Sequence, residues 1–480
     1  MQGAWKIYDW KNQRDAVSSE NLEAFQKNLK AVYSRLKNGL LNNPRDYDWR
    51  ISQLEALKKM LVENDEAISQ AMWKDMRKSR FECHATEQGI VLGEIELTMK
   101  KLKKWMRPQK VSTALYNQPG SSKIIFEPFG LTLIIGAWNY PINLTLAPLV
   151  GAIAGGNAAI IKPSEVSAHT AQLLADLIPK YLDPNFFAVI QGGVAETDIL
   201  LDQPFDLIFF TGSGPVGKII LTKAAVHLTP VILELGGKSP AIVMKDADLG
   251  ITARRLAWGK FINAGQTCIA PDYILCETGV RELLLLEFKK CLFEFYGKDI
   301  VASPDFCRII NEKNFDRLEK LTSGLEILHG GDFKRAELYI SPTIVAAKPE
   351  SPIMEQEIFG PILPILELQN LSEIEKFINE RAKPLALYLF TKSDETIDRI
   401  TNRTSSGAVS VNDVVLHMPM PSLPFGGIGA SGMGQYHGEF SFKTFTHAKG
   451  ILKKSTWLDV PVRYAPYTER KAFWLRWLFS

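Results

Sequence analysis

Over roughly the first hundred residues, large apolar side chains recur three or four positions apart. Leu22, Phe25, Leu29, Val32, Leu36 and Leu40 form one series; Leu54, Leu57, Leu61, Ile68 and Met72 continue it. This spacing predicts amphipathic helices. The stretch 108–122 is polar and without period, and reads as a linker or an arm that leaves the domain. From Phe129 the pattern changes to short apolar runs, LTLIIG, AAIIK, FFAVI, DLIFFT and PVILEL, separated by helical stretches such as 168–180 and 216–225. Runs of strand length that carry little charge are those of strands buried on both faces. Their alternation with helices predicts a doubly wound parallel sheet. A more irregular alternation resumes at Ala241 and ends near Asn412, and the glycine-rich PFGGIGASGMG follows. The coarse expectation is two α/β domains in series with a bridging arm.

Composition narrows the class without choosing a function. A chain of 480 residues exceeds one ordinary core. An apolar fraction of 46% with 23% charged residues is that of a soluble globular protein. The net charge of +3 is too small to imply a nucleic-acid partner, and no arginine-rich stretch calls for one. The N-terminus, MQGAWKIYDWKNQRDAV, lacks the apolar core of a secretory signal, and no uncharged run is long enough to span a bilayer. A cytoplasmic location is therefore expected. The five cysteines, Cys83, Cys268, Cys276, Cys291 and Cys307, are odd in number and show no CxxC pair. That argues against a disulfide framework or a metal site and for a reducing compartment.

Two segments carry candidate chemistry. Gly212-Ser213-Gly214-Pro215-Val216-Gly217 follows the run DLIFFT and opens a helical stretch. This is GxGxxG in the context that lets a backbone and a helix N-terminus approach a diphosphate, although a plain tight turn has the same composition. Glu234, about twenty residues on, stands where such a fold places an acid on a ribose. It also precedes Gly236-Gly237, a placement that suits a catalytic base, and spacing leaves both roles open. Cys268 ends FINAGQTC, in a loop between a helical pattern and the strand-like DYILC. A cysteine so placed is either an approachable nucleophile near backbone N–H donors or a half-buried structural thiol.

The segment around Cys268 resembles the active-site cysteine motif of the aldehyde dehydrogenase superfamily, and LELGGKSP at 233–240 resembles its glutamate motif. WNYP at 138–141, KPSE at 162–165, EIFGP at 357–361 and LPFGGIGASGMG at 423–434 are similar to further family motifs, in the family's order. The similarity runs from about residue 22 to about residue 449. APDYILC, SSGAVSVNDV and PFGGIGASGMGQYHG look most like the class-3 and fatty aldehyde dehydrogenase branch.

The resemblance implies an α/β dinucleotide-binding domain over 1–236, with a bridging arm inserted near 108–127. A second α/β catalytic domain would cover 237–435, and a bridging segment with an apolar tail 436–480. It implies that Cys268 attacks the aldehyde carbon, that hydride leaves for a nicotinamide, and that the remaining thioester is hydrolysed. The Asn139 amide and the Cys268 backbone N–H would hold the oxyanion, and Glu234 would activate water, which displaces the ribose reading. Lys162 and Glu165 would take the adenosine ribose and Glu357 the nicotinamide ribose, with Phe359 against the nicotinamide. Gly212, Ser213 and Gly217 match the phosphate-facing turn, but Gly214 stands where the family usually has threonine. Glu165 favours NAD, with NADP also accepted, because a carboxylate repels a 2′-phosphate.

The branch implies medium- or long-chain, aromatic or polyene aldehydes as substrates, and a homodimer. A CoA-acylating dehydrogenase is the rival reading; a water-activating Glu234 argues against it. The tail from Phe473 to Phe479 has six large apolar residues and one charge, Arg476. It is too short to span a bilayer. Its aromatic and basic residues suit peripheral membrane contact or packing against its own subunit over the substrate entrance.

Overall fold

Two parallel sheets and a small antiparallel one organise the chain, in a computed structural model that describes residues 19–479. The N-terminal stretch considered for a secretory signal, residues 1–17, lies outside the described residues. In the first sheet the order is Gly432–Met433, Val231–Glu234, Leu207–Thr211, Leu131–Ile135, Ala158–Lys162 and Phe187–Val189. The last five are parallel, and four helices connect them: Asn143–Gly155, Ala168–Tyr181, Val194–Leu201 and Gly214–Ala225. The chain enters at Leu131–Ile135, winds outward through the strands at 158 and 187, then reverses to those at 207 and 231. The reversal opens a crevice at the carboxyl ends of the strands starting at 131 and 207, where such sheets take ligands. Every residue of those two strands, and of Ala158–Lys162, is buried, which is why their sequences carry apolar side chains on both faces.

The second sheet has seven strands in the order Glu326–His329, Thr343–Ala346, Ile362–Leu368, Tyr273–Glu277, Pro240–Val243, Ala386–Phe390 and Ala408–Val411. All are parallel except the first. The glycine-rich stretch then returns to the first sheet, where Gly432 pairs antiparallel with Glu234.

The polar stretch after residue 108 is an arm with strands of its own. Gln109–Val111, Gly120–Pro128 and Thr446–Lys454 form an antiparallel sheet. Most of its positions are at least partly exposed, so no apolar alternation marked them in sequence. The helices expected near the N-terminus are Ser19–Asn42, Tyr47–Glu63, Asp65–Met76, Arg80–Cys83 and Gly89–Trp105, with a π-helical turn at His84–Gln88 between the last two. Leu54, Leu57, Met60 and Leu61 bury one face of the second. The tail forms a helix, Glu469–Phe479, which rests on turns at Pro461–Arg463 and Leu115–Asn117 of the arm. Phe473, Trp474 and Trp477 stay exposed on it.

Candidate active site

Asp248 caps the helix Leu249–Phe261 by accepting the Ile251 N–H at 3.1 Å, and this helix delivers the cysteine loop. The chain leaves it through a tight turn in which Asn263, Ala264 and Gly265 all have positive φ, 53°, 50° and 73°. Only glycine serves at 265, because a Cβ there would lie 2.3 Å from the Gly360 carbonyl oxygen. The turn brings Cys268 to the wall of a cavity of about 860 Å³. Trp258, Ile262, Leu416, Met418 and Phe425 make much of that wall apolar. Cys268 is partly exposed, whereas the other four cysteines are buried. Among the described residues none of the tail helix lines this cavity, and the helix contacts the arm.

The loop after Leu131–Ile135 is tied to the cysteine turn. The Asn139 amide donates to the Gln266 carbonyl at 3.0 Å, and the Asn263 amide donates back to the Asn139 carbonyl at 2.9 Å. The Tyr140 hydroxyl lies 2.6 Å from Thr267 Oγ1, one residue before Cys268. The Asn139 side-chain amide nitrogen carries two hydrogens, so the bond to Gln266 leaves one donor uncommitted.

Burial pushes the Cys268 thiol up to about 12, and the Glu357 and Glu234 carboxylates add to it; the Cys268 and Ile269 backbone N–H groups pull the other way. Both carboxylates thus stand close enough to sense the sulfur, and two backbone donors already face it. Glu234, at the end of Val231–Glu234, is 2% exposed, and neither of its carboxylate oxygens has a hydrogen-bond partner. Burial alone holds its proton well above the usual carboxylate range. Glu357 lies against Gly236, where a Cβ would come within 2.3 Å of its carboxylate. Burial and then the charge of Asp272 push Glu357 up to about 8, against the pull of the Gly237 N–H. Lys238 pairs with Asp272 and donates to the Gln356 carbonyl at 2.9 Å, which joins the LELGGKSP and EIFGP segments. Lys260 is fully buried nearby with its ammonium unpartnered, and burial lowers it to about 8.

The first sheet presents Lys162, Glu165 and the glycine loop at its carboxyl edge, and Phe359 comes from the loop before Ile362–Leu368 of the second sheet. Lys162 ends its strand buried, with Nζ 2.5 Å from the exposed Glu165. The Gly212 N–H donates to the Glu234 carbonyl at 3.0 Å, so the glycine loop and the Glu234 strand are adjacent. Ser213 precedes the helix Gly214–Ala225 in extended conformation and is exposed, and no side chain caps that helix. A Cβ at Gly214 would meet nothing within 4 Å, so the loop has open space before it. An uncapped helix N-terminus beside open space fits a dinucleotide diphosphate. Phe359, with φ 52°, holds its ring 5.4 Å from Trp138.

The structure therefore brings Cys268, Asn139, Glu234 and Glu357 into one neighbourhood and puts Gly212 and Ser213 on the adjoining turn, whereas Gly217 lies one turn into the helix Gly214–Ala225, buried against Leu235. Lys162 and Glu165 pair with each other, and no contact links them to Cys268 among the described residues. Sequence reasoning missed the supports of the turn: Asn263, Gln266, Tyr140 and the buried Lys78, Glu82 and Glu87. No local pattern marked the last three, because Lys78 stands between two helices and the loops that these groups hold lie far along the chain.

The aldehyde dehydrogenase family model matches residues 45–451. The dimeric NADP-preferring aldehyde dehydrogenase of Rattus norvegicus is 50% identical over 412 residues, 86% of this chain and 91% of the relative. Aldehyde dehydrogenase family 3 member A2 of Mus musculus is 47% identical over 435 residues, 90% of each chain. Aldehyde dehydrogenase family 3 member B1 of Homo sapiens is 47% identical over 430 residues, 89% of this chain and 92% of the relative. Among solved structures, the substrate-bound state of Staphylococcus aureus AldH superposes with a TM-score of 0.92 at 44% identity, covering 94% of this chain and 99% of that one.

Proposed function

Because the chain belongs to the aldehyde dehydrogenase family, we propose that it oxidises apolar aldehydes, medium- or long-chain and aromatic, to carboxylic acids with NAD or NADP through a covalent adduct on Cys268. The observation that carries this reading is a single partly exposed cysteine at the wall of a large apolar cavity, flanked by an amide and backbone donors.

An aldehyde C–H is a poor hydride donor until an oxyanion beside it pushes its electrons out. Cys268 supplies that oxyanion once its raised thiol has passed its proton to the neighbouring Glu234 carboxylate and on to solvent: the sulfur attacks the carbonyl carbon, a C–S bond forms, and the C=O π pair moves to oxygen. The uncommitted Asn139 N–H and the Cys268 backbone N–H stabilise the charge; one such donor is worth roughly 2.7–4 kcal/mol in other enzymes. A nicotinamide cofactor, held by the residues named below, would supply the acceptor for the hydride that the adduct loses. Glu234 then takes a proton from water as it attacks the thioester carbon, and C–S cleavage returns the thiolate. An unpartnered carboxylate suits a group whose partner is a water. Its raised affinity for protons makes it a stronger base than an exposed glutamate.

The same reading assigns Gly212, Ser213 and Gly217 to the diphosphate and Lys162 with Glu165 to the adenosine ribose. It assigns Glu357 to the nicotinamide ribose and Phe359 to the nicotinamide side. The Lys162 ammonium offsets part of the Glu165 charge, which accommodates NADP beside NAD. The largely exposed arm sheet supports a homodimer, the state named for the rat relative. Among the described residues no helix is long and apolar enough to cross a membrane. The exposed aromatic tail supports peripheral membrane contact.

Replacing Cys268 by Ala tests the central step. NADH production from hexanal should fall by roughly ten-thousandfold or more, while NAD affinity stays near normal. Substantial remaining turnover would remove Cys268 from the mechanism. Product analysis separates the rival: free acid without CoA supports hydrolysis, and a thioester formed only with CoA supports acyl transfer.

A further inference from the structure

We propose that Glu82 is a positioning residue for the nucleophile turn, acting from a buried ionic cluster with Lys78 and Glu87; this rests on reading Cys268 as the nucleophile. Lys78 and Glu87 are both fully buried, with Nζ 2.6 Å from Glu87 Oε1. The other Glu87 oxygen accepts the Ile142 and Asn143 N–H groups at 3.0 and 3.1 Å, at the start of the helix Asn143–Gly155. Lys78 also donates to the Asn139 carbonyl at 3.2 Å and stands 4.1 Å above the Tyr140 ring. Glu82, 8% exposed, reaches the turn itself: its carboxylate accepts the Asn263 N–H at 2.8 Å. The Cys307 thiol is its other neighbour, 3.5 Å away.

Local geometry explains how two glutamates five residues apart serve one cluster. On an α-helix they would diverge by roughly 140°. The π-helical turn at His84–Gln88, which follows Glu82 and contains Glu87, changes that angle, a feature often found at functional sites.

Asn263 and Ala264 are consecutive non-glycine residues in the left-handed region. Such conformations persist only where the surroundings over-determine them. Glu82 holds the backbone of the first, and the Asn263 side chain in turn holds the Asn139 carbonyl. Lys78 approaches the same loop through Tyr140, whose hydroxyl contacts Thr267 beside Cys268. The cluster thus fixes the spacing between the cysteine loop and the asparagine loop from two directions. Stability alone is a poor reason for it, because a buried ion pair rarely stabilises a fold more than apolar packing of the same volume.

The test is rapid mixing of the full chain with NAD and hexanal, reading the rate constant of the first NADH burst apart from its amplitude. Glu82→Leu removes the acceptor and should slow the burst about a hundredfold, whereas Glu82→Gln keeps an acceptor and should slow it about fivefold. Glu82 also lines the cavity, so the burst is read at saturating hexanal, and the KM for NAD should stay within about twofold in both variants. A merely structural role would lower the burst amplitude and the melting temperature and leave the rate constant unchanged; that result overturns the proposal. If Glu82→Leu does not fold, Glu82→Gln decides: a slower burst at saturating hexanal and constant KM for NAD supports positioning, and a wild-type burst rate overturns it. Cys268→Ala serves as the control. A burst that survives in that variant would show that the nucleophile reading has failed, and the positioning proposal with it.

Discussion

The carboxyl edge of the first sheet and the cavity beside Cys268 are built by opposite means. The sheet edge offers backbone groups and charges in short, ordered segments: an uncapped helix start after Ser213, the Lys162–Glu165 pair, Glu234 at a strand end. The cavity gathers its wall from helices and loops far apart in the chain, from Ser79 to Tyr436, and most of that wall is apolar. A cofactor of fixed shape calls for fixed local geometry, so few residues at set spacing suffice. An apolar substrate calls for volume, and many combinations of side chains supply volume. The difference teaches where a family's chemistry is constant and where one chain sets its own specificity.

The sharpest way to break the comparison lies at Glu234, which the sheet positions but the cysteine chemistry uses. Glu234→Gln should leave the amplitude of the NADH burst largely intact and lower steady-state turnover by about a hundred- to ten-thousandfold. A collapse of NAD affinity with no burst would make Glu234 a ribose ligand and return it to the cofactor side. The pH dependence follows from burial. Glu234 keeps its proton well above the usual carboxylate range, and only the ionised form takes a proton from water. Steady-state turnover should therefore climb with pH beyond that range, and the Gln variant should lose this limb. Stability moves the other way. A carboxyl whose folded pKa is raised contributes stability below its unfolded value and loses it as pH rises through the folded one. In mildly alkaline buffer the Gln variant should accordingly melt no lower than the parent chain.

What was legible in the sequence follows the same division. The buried parallel strands announced themselves because burial on both faces leaves apolar runs, and the glycine loop because a helix start after such a run has few uses. Glu234 shows the limit: spacing allowed a ribose ligand or a base, and only the resemblance separated the two. The arm was recognisable only as a departure from pattern, since strands with both faces partly exposed, such as Gly120–Pro128, carry no periodic signal. Lys78, Glu82 and Glu87 were passed over because their partners, Asn139, Asn263 and the start of Asn143–Gly155, lie 55 to 181 positions away. Pairing at that range is a property of the packed fold and leaves no local trace.

A smaller effect would sharpen the cofactor side. Glu165→Gln removes the charge near the ribose 2′ position while Lys162 keeps its ammonium. The ratio of kcat/KM for NADP to that for NAD should rise by about fivefold, the scale of one exposed charge contact. The pair with Lys162 limits the gain, because the carboxylate is already partly neutralised. An unchanged ratio would place the ribose contact elsewhere on the sheet edge.

The smallest effect is expected at the tail, which belongs to neither region. Its helix rests on the arm, and Lys471 anchors it by donating to the Tyr464 and Pro466 carbonyls at 2.8 and 3.0 Å. Phe473, Trp474 and Trp477 are 64%, 49% and 61% exposed, with Arg470, Lys471 and Arg476 on the same short helix. Aromatic and basic residues on one such helix suit the interface of an anionic bilayer. Cutting the chain after Pro466 should lower co-sedimentation with anionic vesicles. With vesicles present, kcat/KM for a long-chain aldehyde should fall on the order of threefold, because the substrate and the enzyme no longer share a surface. A short-chain aldehyde, delivered from water, should show no change. If the long-chain loss persists without vesicles, the tail of the assembled protein covers a cavity mouth instead. Equal loss for both aldehydes with a lower melting temperature would make the tail a brace for the arm, and the exposed aromatics would then need a protein partner.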